Sequence, residues 1–167
     1  MRIRPATTDD ADAIAVVHVR SWQATYRGTF ADEFLDTMDV AGRAARWREN
    51  LAEPQDPHVL VAESESGVKG FAAVGSSRDD DADAATGELW AIYADPEAQG
   101  TGVGRALMRA VLAVLDGYEQ ATLWVLTGNE RAIRFYECAG WHFDGTTRED
   151  TVAGTLVSET RYRRSLP

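Results

Sequence analysis

Glu88-Leu-Trp-Ala-Ile-Tyr-Ala-Asp-Pro-Glu-Ala-Gln-Gly-Thr-Gly-Val-Gly-Arg-Ala-Leu-Met108 is the stretch on which the reading of this chain turns. The apolar run Leu89 to Ala94 reads as a short strand that Asp95-Pro96 stops, because proline fixes its φ and brings no N–H to a ladder. A glycine-rich turn follows and opens into an amphipathic helix beginning near Gly102. Backbone amides can turn inward at Gly100, Gly102 and Gly104, and the helix start adds unpaired donors and the positive end of its dipole. Such a turn cradles an anion, here expected to be a pyrophosphate. A dinucleotide fingerprint needs G-x-G-x-x-G, but the third glycine comes one residue early and Arg105 holds its place; the Gly-Lys-Ser/Thr of a P-loop is missing too. Gln99-x-x-Gly102-x-Gly104 remains, and taken alone it leaves open a glycine-rich helix entry with no ligand.

Outward from this stretch, 167 residues with 44% hydrophobic content predict one globular domain over residues 1–167 with a sizeable core. No run of about 18 apolar residues is present, and Met1-Arg2-Ile3-Arg4-Pro5 leads into strand-like sequence rather than a signal peptide, so a soluble, cytoplasmic protein with no membrane partner is expected. The single cysteine, Cys138, excludes an internal disulfide, and His18, His58 and His142 lack metal-ligand spacing, so no metal is expected. A net charge of −10 disfavours nucleic acid, which needs clustered Lys and Arg. The same acidity favours solubility first and a cationic ligand second.

A first strand is expected around Ile3, then a helix opened by Thr7 and Asp10 in capping-box spacing. On it Ile14, Val17 and Ser21 face the core while His18, Trp22 and Tyr26 form an aromatic flank, and Gly28 ends the element. A second helical region runs from about Asp32 to Ala52, with a break around Asp39 to Gly42 and a stop at Pro54. His58–Glu63 and Val68–Val74 read as an antiparallel hairpin. Ser76 to Thr86 holds Asp79, Asp80, Asp81 and Asp83 without a large apolar residue; it reads as an exposed loop, or as an acidic lip for a cationic substrate. After the helix from about Gly102 to Leu115 come a strand over Ala121–Leu126, a helix over Glu130–Ala139 stopped by Gly140, a strand from Trp141, and a last strand over about Leu156–Arg163 reached through a polar excursion from Thr146 to Gly154. The strand-helix-strand-helix run implies a right-handed crossover joining two parallel strands within an otherwise antiparallel sheet, a mixed α/β architecture.

Gln99-x-x-Gly102-x-Gly104 resembles the acetyl-coenzyme A signature of the GCN5-related N-acetyltransferases. Asn129-Glu-Arg-Ala-Ile-Arg-Phe-Tyr-Glu-Cys-Ala-Gly-Trp141 resembles the fourth-helix motif of the same superfamily, with Trp141 in place of the usual Phe. The resemblance implies the acyl-CoA N-acyltransferase fold (α/β, or α+β): a mixed, mostly antiparallel sheet of about seven strands with flanking helices. In it the parallel strands Leu89–Ala94 and Thr122–Val125 splay apart so that pantetheine lies between them. Main-chain groups of Ile92, Tyr93 and Ala94 would then bond the pantetheine arm and polarise the thioester carbonyl. Amides of Gly100, Thr101, Gly102, Val103, Gly104 and Arg105 would hold the pyrophosphate, with Gln99 orienting the loop, Arg105 reaching a phosphate, and Asn129 capping its helix or bonding the cofactor.

By the same resemblance Tyr136 is the general acid for the departing thiolate, or a hydrogen-bond donor to it. The glutamate that many relatives carry on the strand before the asparagine is Trp124 here, and Glu88 is the substitute base. Strand alternation would put it on the face of Trp90 and Ile92. Trp22, Tyr26 and Trp90 are candidates for an aromatic wall around an acceptor amine. Cys138 is expected in the core. The implied activity is direct transfer of acetyl from acetyl-CoA to a primary amine of a small, cationic molecule. A protein N-terminus or lysine as acceptor, a silent acyl-CoA sensor, and assembly as a homodimer stay open.

Overall fold

A computed structural model describes residues 1–53 and 56–167. Seven strands form one sheet: β1 (Arg2–Pro5), β2 (His58–Ser64), β3 (Gly67–Ser76), β4 (Thr86–Ala94), β5 (Gln120–Leu126), β6 (His142–Val152) and β7 (Thr155–Ser165), in the order β1-β2-β3-β4-β5-β7-β6. All neighbours run antiparallel except β4 and β5. The helices are α1 (Ala11–Thr25), α2 (Asp32–Asp36), α3 (Val40–Ala52), α4 (Val103–Val114) and α5 (Glu130–Cys138).

The two faces of the sheet bury separate apolar clusters. On one, α4 lays Leu107, Met108 and Val111 against Ala62, Ala72, Leu89 and Leu123, and α5 adds Ile133, Phe135 and Tyr136. Each large aliphatic side chain removed from water there contributes roughly 1.5–3 kcal/mol. On the other, Ile14 and Val17 of α1 and Trp47 of α3 pack on Val61, Phe71, Ala91 and Tyr93. The Thr7–Asp10 box forms, with the Asp10 carboxylate accepting from the Thr7 amide at 2.8 Å, and α1 follows after one 3-10 turn.

Two irregularities shape the centre. Parallel rungs join Thr86 to Gln120 through Leu89 to Leu123 and then stop, although β4 continues to Ala94 and β5 to Leu126. The expected splay is therefore present. Against β3, the register changes between Ala73 opposite Ala91 and Val74 opposite Leu89, which makes Trp90 the extra residue of a β-bulge. The bulge inverts the alternation expected from the sequence: Ile92 joins Leu89 in the α4 cluster, while Ala91 and Tyr93 face α1.

Three further expectations change, and a fourth falls outside the described residues. The helical break falls at 37–39, and Gly42 sits inside α3, where a Cβ would lie 2.2 Å from the Asp39 carboxylate. The stop expected at Pro54 lies outside the described residues. The polar stretch after Trp141 is strand, because β6 is an edge strand whose side chains face water. Cys138 is exposed, since the apolar face of α5 carries Ile133, Phe135 and Tyr136 instead.

Candidate active site

The strand-to-helix turn is pinned from below. Asp95 accepts from the Glu97 amide at 2.9 Å and pairs with Arg20 of α1 at 3.0 Å, and Thr101 Oγ donates to the Ala98 carbonyl at 2.7 Å. Gly102 caps α4 with φ +95°, a left-handed conformation costly for any residue with a Cβ. The bond from Ala106 N–H to the Gly102 carbonyl, 3.0 Å, opens the helical ladder, so the amides of Val103, Gly104 and Arg105 precede it and point out of the N-terminus. A Cβ on Gly104 would come within 3.2 Å of Phe135, so glycine lets α4 start against α5.

This turn opens onto a cavity of about 660 Å³ whose lining includes Gln99, Gly100, Gly102, Gly104 and Arg105. Thr101 and Val103 are absent from that lining, and the Val103 side chain is buried in the core, leaving these two only their main chains to offer. Ile92, Tyr93 and Ala94 form one wall of the splay and Trp124, Val125 and Leu126 the other. The Ala94 carbonyl already accepts from Ser21 Oγ at 2.9 Å, and Asn129 Oδ1 accepts from the Ala132 amide at 3.2 Å as a helix cap. Tyr136 lines the same cavity, and burial raises its hydroxyl above the ordinary phenol value. Burial likewise raises Tyr26 and Tyr93, so all three are neutral phenols at neutral pH.

Glu88 is buried yet lines the cavity, and it is not a free strand-edge carboxylate. It accepts from the Arg78 amide at 2.8 Å and forms an ion pair with the Arg78 guanidinium. That guanidinium stacks on Trp90, whose Nε1 donates to the Ser76 carbonyl at 3.1 Å. Of the three aromatics proposed for an acceptor wall, Trp22 and Tyr26 cluster with Phe30, Trp22 stacking on Phe30 at 5.6 Å and Tyr26 meeting both edge-on, while Trp90 lies apart beneath Arg78.

The acidic loop is neither free nor merely solvated. Buried Arg161 of β7 reaches Asp81 at 2.6 Å, Asp144 at 2.7 Å and Asp79 at 3.2 Å. Asp79 also accepts from Trp124 Nε1 at 2.8 Å, and Asp83 accepts from Thr86 Oγ at 2.7 Å. Three of the four aspartates assigned to an acidic lip are thus engaged within the fold.

Sequence reasoning missed Arg78, Phe30, Arg148, Val152 and Glu159 in the cavity wall. Arg148 of β6 stands opposite Glu159 of β7 and bonds it at 2.7 Å. Opposite charges on facing strands are a usable signal only once the register is known.

The chain is similar to known proteins throughout its length. Residues 18–141 match the model of the Acetyltransferase (GNAT) family. An uncharacterized N-acetyltransferase, YuaI of Bacillus subtilis, is 33% identical over 138 residues, 81% of this chain and 76% of that one. The ribosomal-protein-alanine N-acetyltransferase of Brucella melitensis superposes with a TM-score of 0.75 at 25% identity, covering 99% of this chain and 100% of the other. An N-acetyltransferase from Thermoplasma acidophilum, solved in complex with coenzyme A, shares the fold with a TM-score of 0.71 at 20% identity, over 98% of each chain.

Proposed function

This chain belongs to the GNAT family of acetyltransferases, and on that premise we propose that it transfers acetyl from acetyl-CoA directly to the primary amine of a small acceptor held in the same cavity. The observation that carries the reading is the convergence on one cavity of the glycine turn, the unpaired ends of β4 and β5, and Tyr136. The residues suit the donor. Amides at the start of α4 face where a pyrophosphate would lie, Arg105 adds a cation, and main-chain groups past Leu89 lack a strand partner on the β5 side, as a pantetheine arm requires.

Bound acetyl-CoA supplies the activated thioester. The chain's own groups do the rest. A main-chain amide in 92–94 polarises the carbonyl. Glu88, at the Arg78 end of the cavity, takes a proton from the incoming ammonium through water. As the N–C bond forms and the C–S bond breaks, Tyr136 gives a hydrogen bond and finally its proton to sulfur, recovering one from the amine side. A phenol near pKa ~10 is a weaker acid than a thiol near ~8.5, and burial widens that gap, so the hydrogen bond that stabilises the thiolate is the larger part of its role.

A small acceptor suits the side of the cavity that the segment after α1 covers. Phe30 and Val157 bury together with Trp22, Tyr26 and Val152, so the segment after α1 packs on the β6–β7 hairpin. The test is thiol release from acetyl-CoA against an amine panel, with the product identified by mass spectrometry. Amine-dependent release with an equal yield of N-acetylated product supports transfer. Tight binding of acetyl-CoA without release by any amine favours a sensor. Glu88→Gln is expected to shift the acidic limb of the pH–rate profile, and an unshifted limb removes it as the base.

A further inference from the structure

Trp90 and Trp124 occupy the first positions beyond the last rung between β4 and β5, and each indole carries a guanidinium on its face. Arg78 Cζ lies 4.1 Å from the Trp90 ring centroid, and Arg148 Cζ lies 3.9 Å from that of Trp124. All four side chains line the cavity that holds Tyr136. A guanidinium held over an indole by its carbon satisfies none of its N–H donors there, so they stay available for other partners.

The donors are unevenly spent. Arg148 gives Nε to Glu159, while its Nη1 and Nη2 make no hydrogen bond among the described residues. Arg78 gives Nε and Nη2 to Glu88 and retains Nη1. Each cavity carboxylate is therefore matched by a guanidinium, and the unspent groups on this wall are cationic donors. Asp79, Asp81 and Asp83, three of the four aspartates that would have drawn a polycation, are turned to Arg161 and Thr86. An acceptor consisting of an amine alone would leave the Arg148 fork facing only water, whereas a carboxylate fits it with two parallel N–H···O bonds.

We propose that the acceptor is a small amino-acid-like zwitterion whose carboxylate is gripped by the terminal nitrogens of Arg148, with Arg78 beside it, and whose amine is thereby aimed toward the Tyr136 end of the cavity. This rests on the acetyl-transfer reading above and narrows its substrate class. The indole beneath Cζ and the Nε bond to Glu159 hold the Arg148 guanidinium in place, so its terminal nitrogens form a fixed fork of the kind that takes a carboxylate through two N–H groups.

The test uses the twenty protein amino acids, each beside its α-carboxamide, as acceptors for the intact enzyme and for Arg148→Gln. For at least one pair the acid is acetylated with kcat/KM about tenfold or more above its amide, the range of a charge-assisted hydrogen bond. In Arg148→Gln the KM of that acid rises about tenfold while its kcat and the KM of the amide stay within about twofold. Amides used as well as acids, or an Arg148→Gln loss equal for both, overturns the proposal and leaves acetyl transfer standing. Absence of thiol release with every amine counts against acetyl transfer instead. The proposal is then decided by tryptophan fluorescence of the CoA complex titrated with the same pairs: a change given by an acid, withheld by its amide and abolished in Arg148→Gln supports it, and no such difference overturns it.

Discussion

Tyr136 is the side chain on which the proposed chemistry depends most, since it reaches the cavity from α5 and burial keeps it a neutral donor. Tyr136→Phe is expected to lower kcat by about a hundredfold with little change in the KM for acetyl-CoA, the signature of a group acting in the transition state. An unchanged kcat in steady-state kinetics would reduce Tyr136 to packing. His18 gives a second expectation, for stability. Burial first, and then the charge of Arg43, lowers it from 6.5 to about 4, and its Nδ1 is buried without a partner among Trp22, Trp47, Phe71 and Tyr93. Between these values the unfolded chain binds a proton that the folded one refuses, so stability falls as pH drops from 6.5 toward 4, by about 3 kcal/mol, and this loss is complete below 4. Asp10 acts in a lower window. Its hydrogen bonds from Arg4 hold it below 3.8, so its contribution is lost only under that pH. Thermal unfolding of His18→Phe is therefore expected to be flatter than wild type between pH 6.5 and 4 and to converge on its slope below. Parallel profiles would remove His18 as the cause.

The elements divide by how local their causes are. The glycine turn, α4, the Asn129 cap of α5 and the β2–β3 hairpin were legible in the sequence, because each is set by neighbours a few residues away. The bulge at Trp90 was not, because it depends on how β3 registers against β4, and with it went the expected pairing of faces between Glu88 and Ile92. The long β6 was hidden because an edge strand needs no apolar alternation. Arg161 illustrates the same limit. It ties the loop at 77–85 to β6 and β7 through partners about eighty residues away, Asp79 and Asp81, and through Asp144. Arg161→Leu is expected to leave Asp79 buried without a cation, while Asp144 keeps Arg163 at 3.2 Å, costing about 3 kcal/mol. The melting temperature should fall by roughly 10 °C. A fall within about 2 °C in calorimetry, well below what unpaired buried charge costs, would show the network to be dispensable.

At the scale of the molecule, charge is sorted by place. The chain carries a net −10, yet the cavity presents Arg78, Arg105, Arg131 and Arg148. The net charge is a sum, and a sum cannot report which aspartates are turned inward. The family and the seven-stranded sheet with its parallel pair were recoverable from two motifs, and so were the cavity-lining residues of the glycine turn and the start of α5, because those motifs encode the turn and the helix that build this part of the cavity. Among the described residues no helix is long and apolar enough to cross a membrane. The central claim is that the splay between β4 and β5 and the turn before α4 together receive the acyl donor. Amide hydrogen exchange with and without coenzyme A measures this directly. The account predicts slowed exchange at residues 90–94 and 100–106, with β1 and β2 unchanged. Binding that leaves both segments at their free rates, or that protects another face of the sheet, would contradict it.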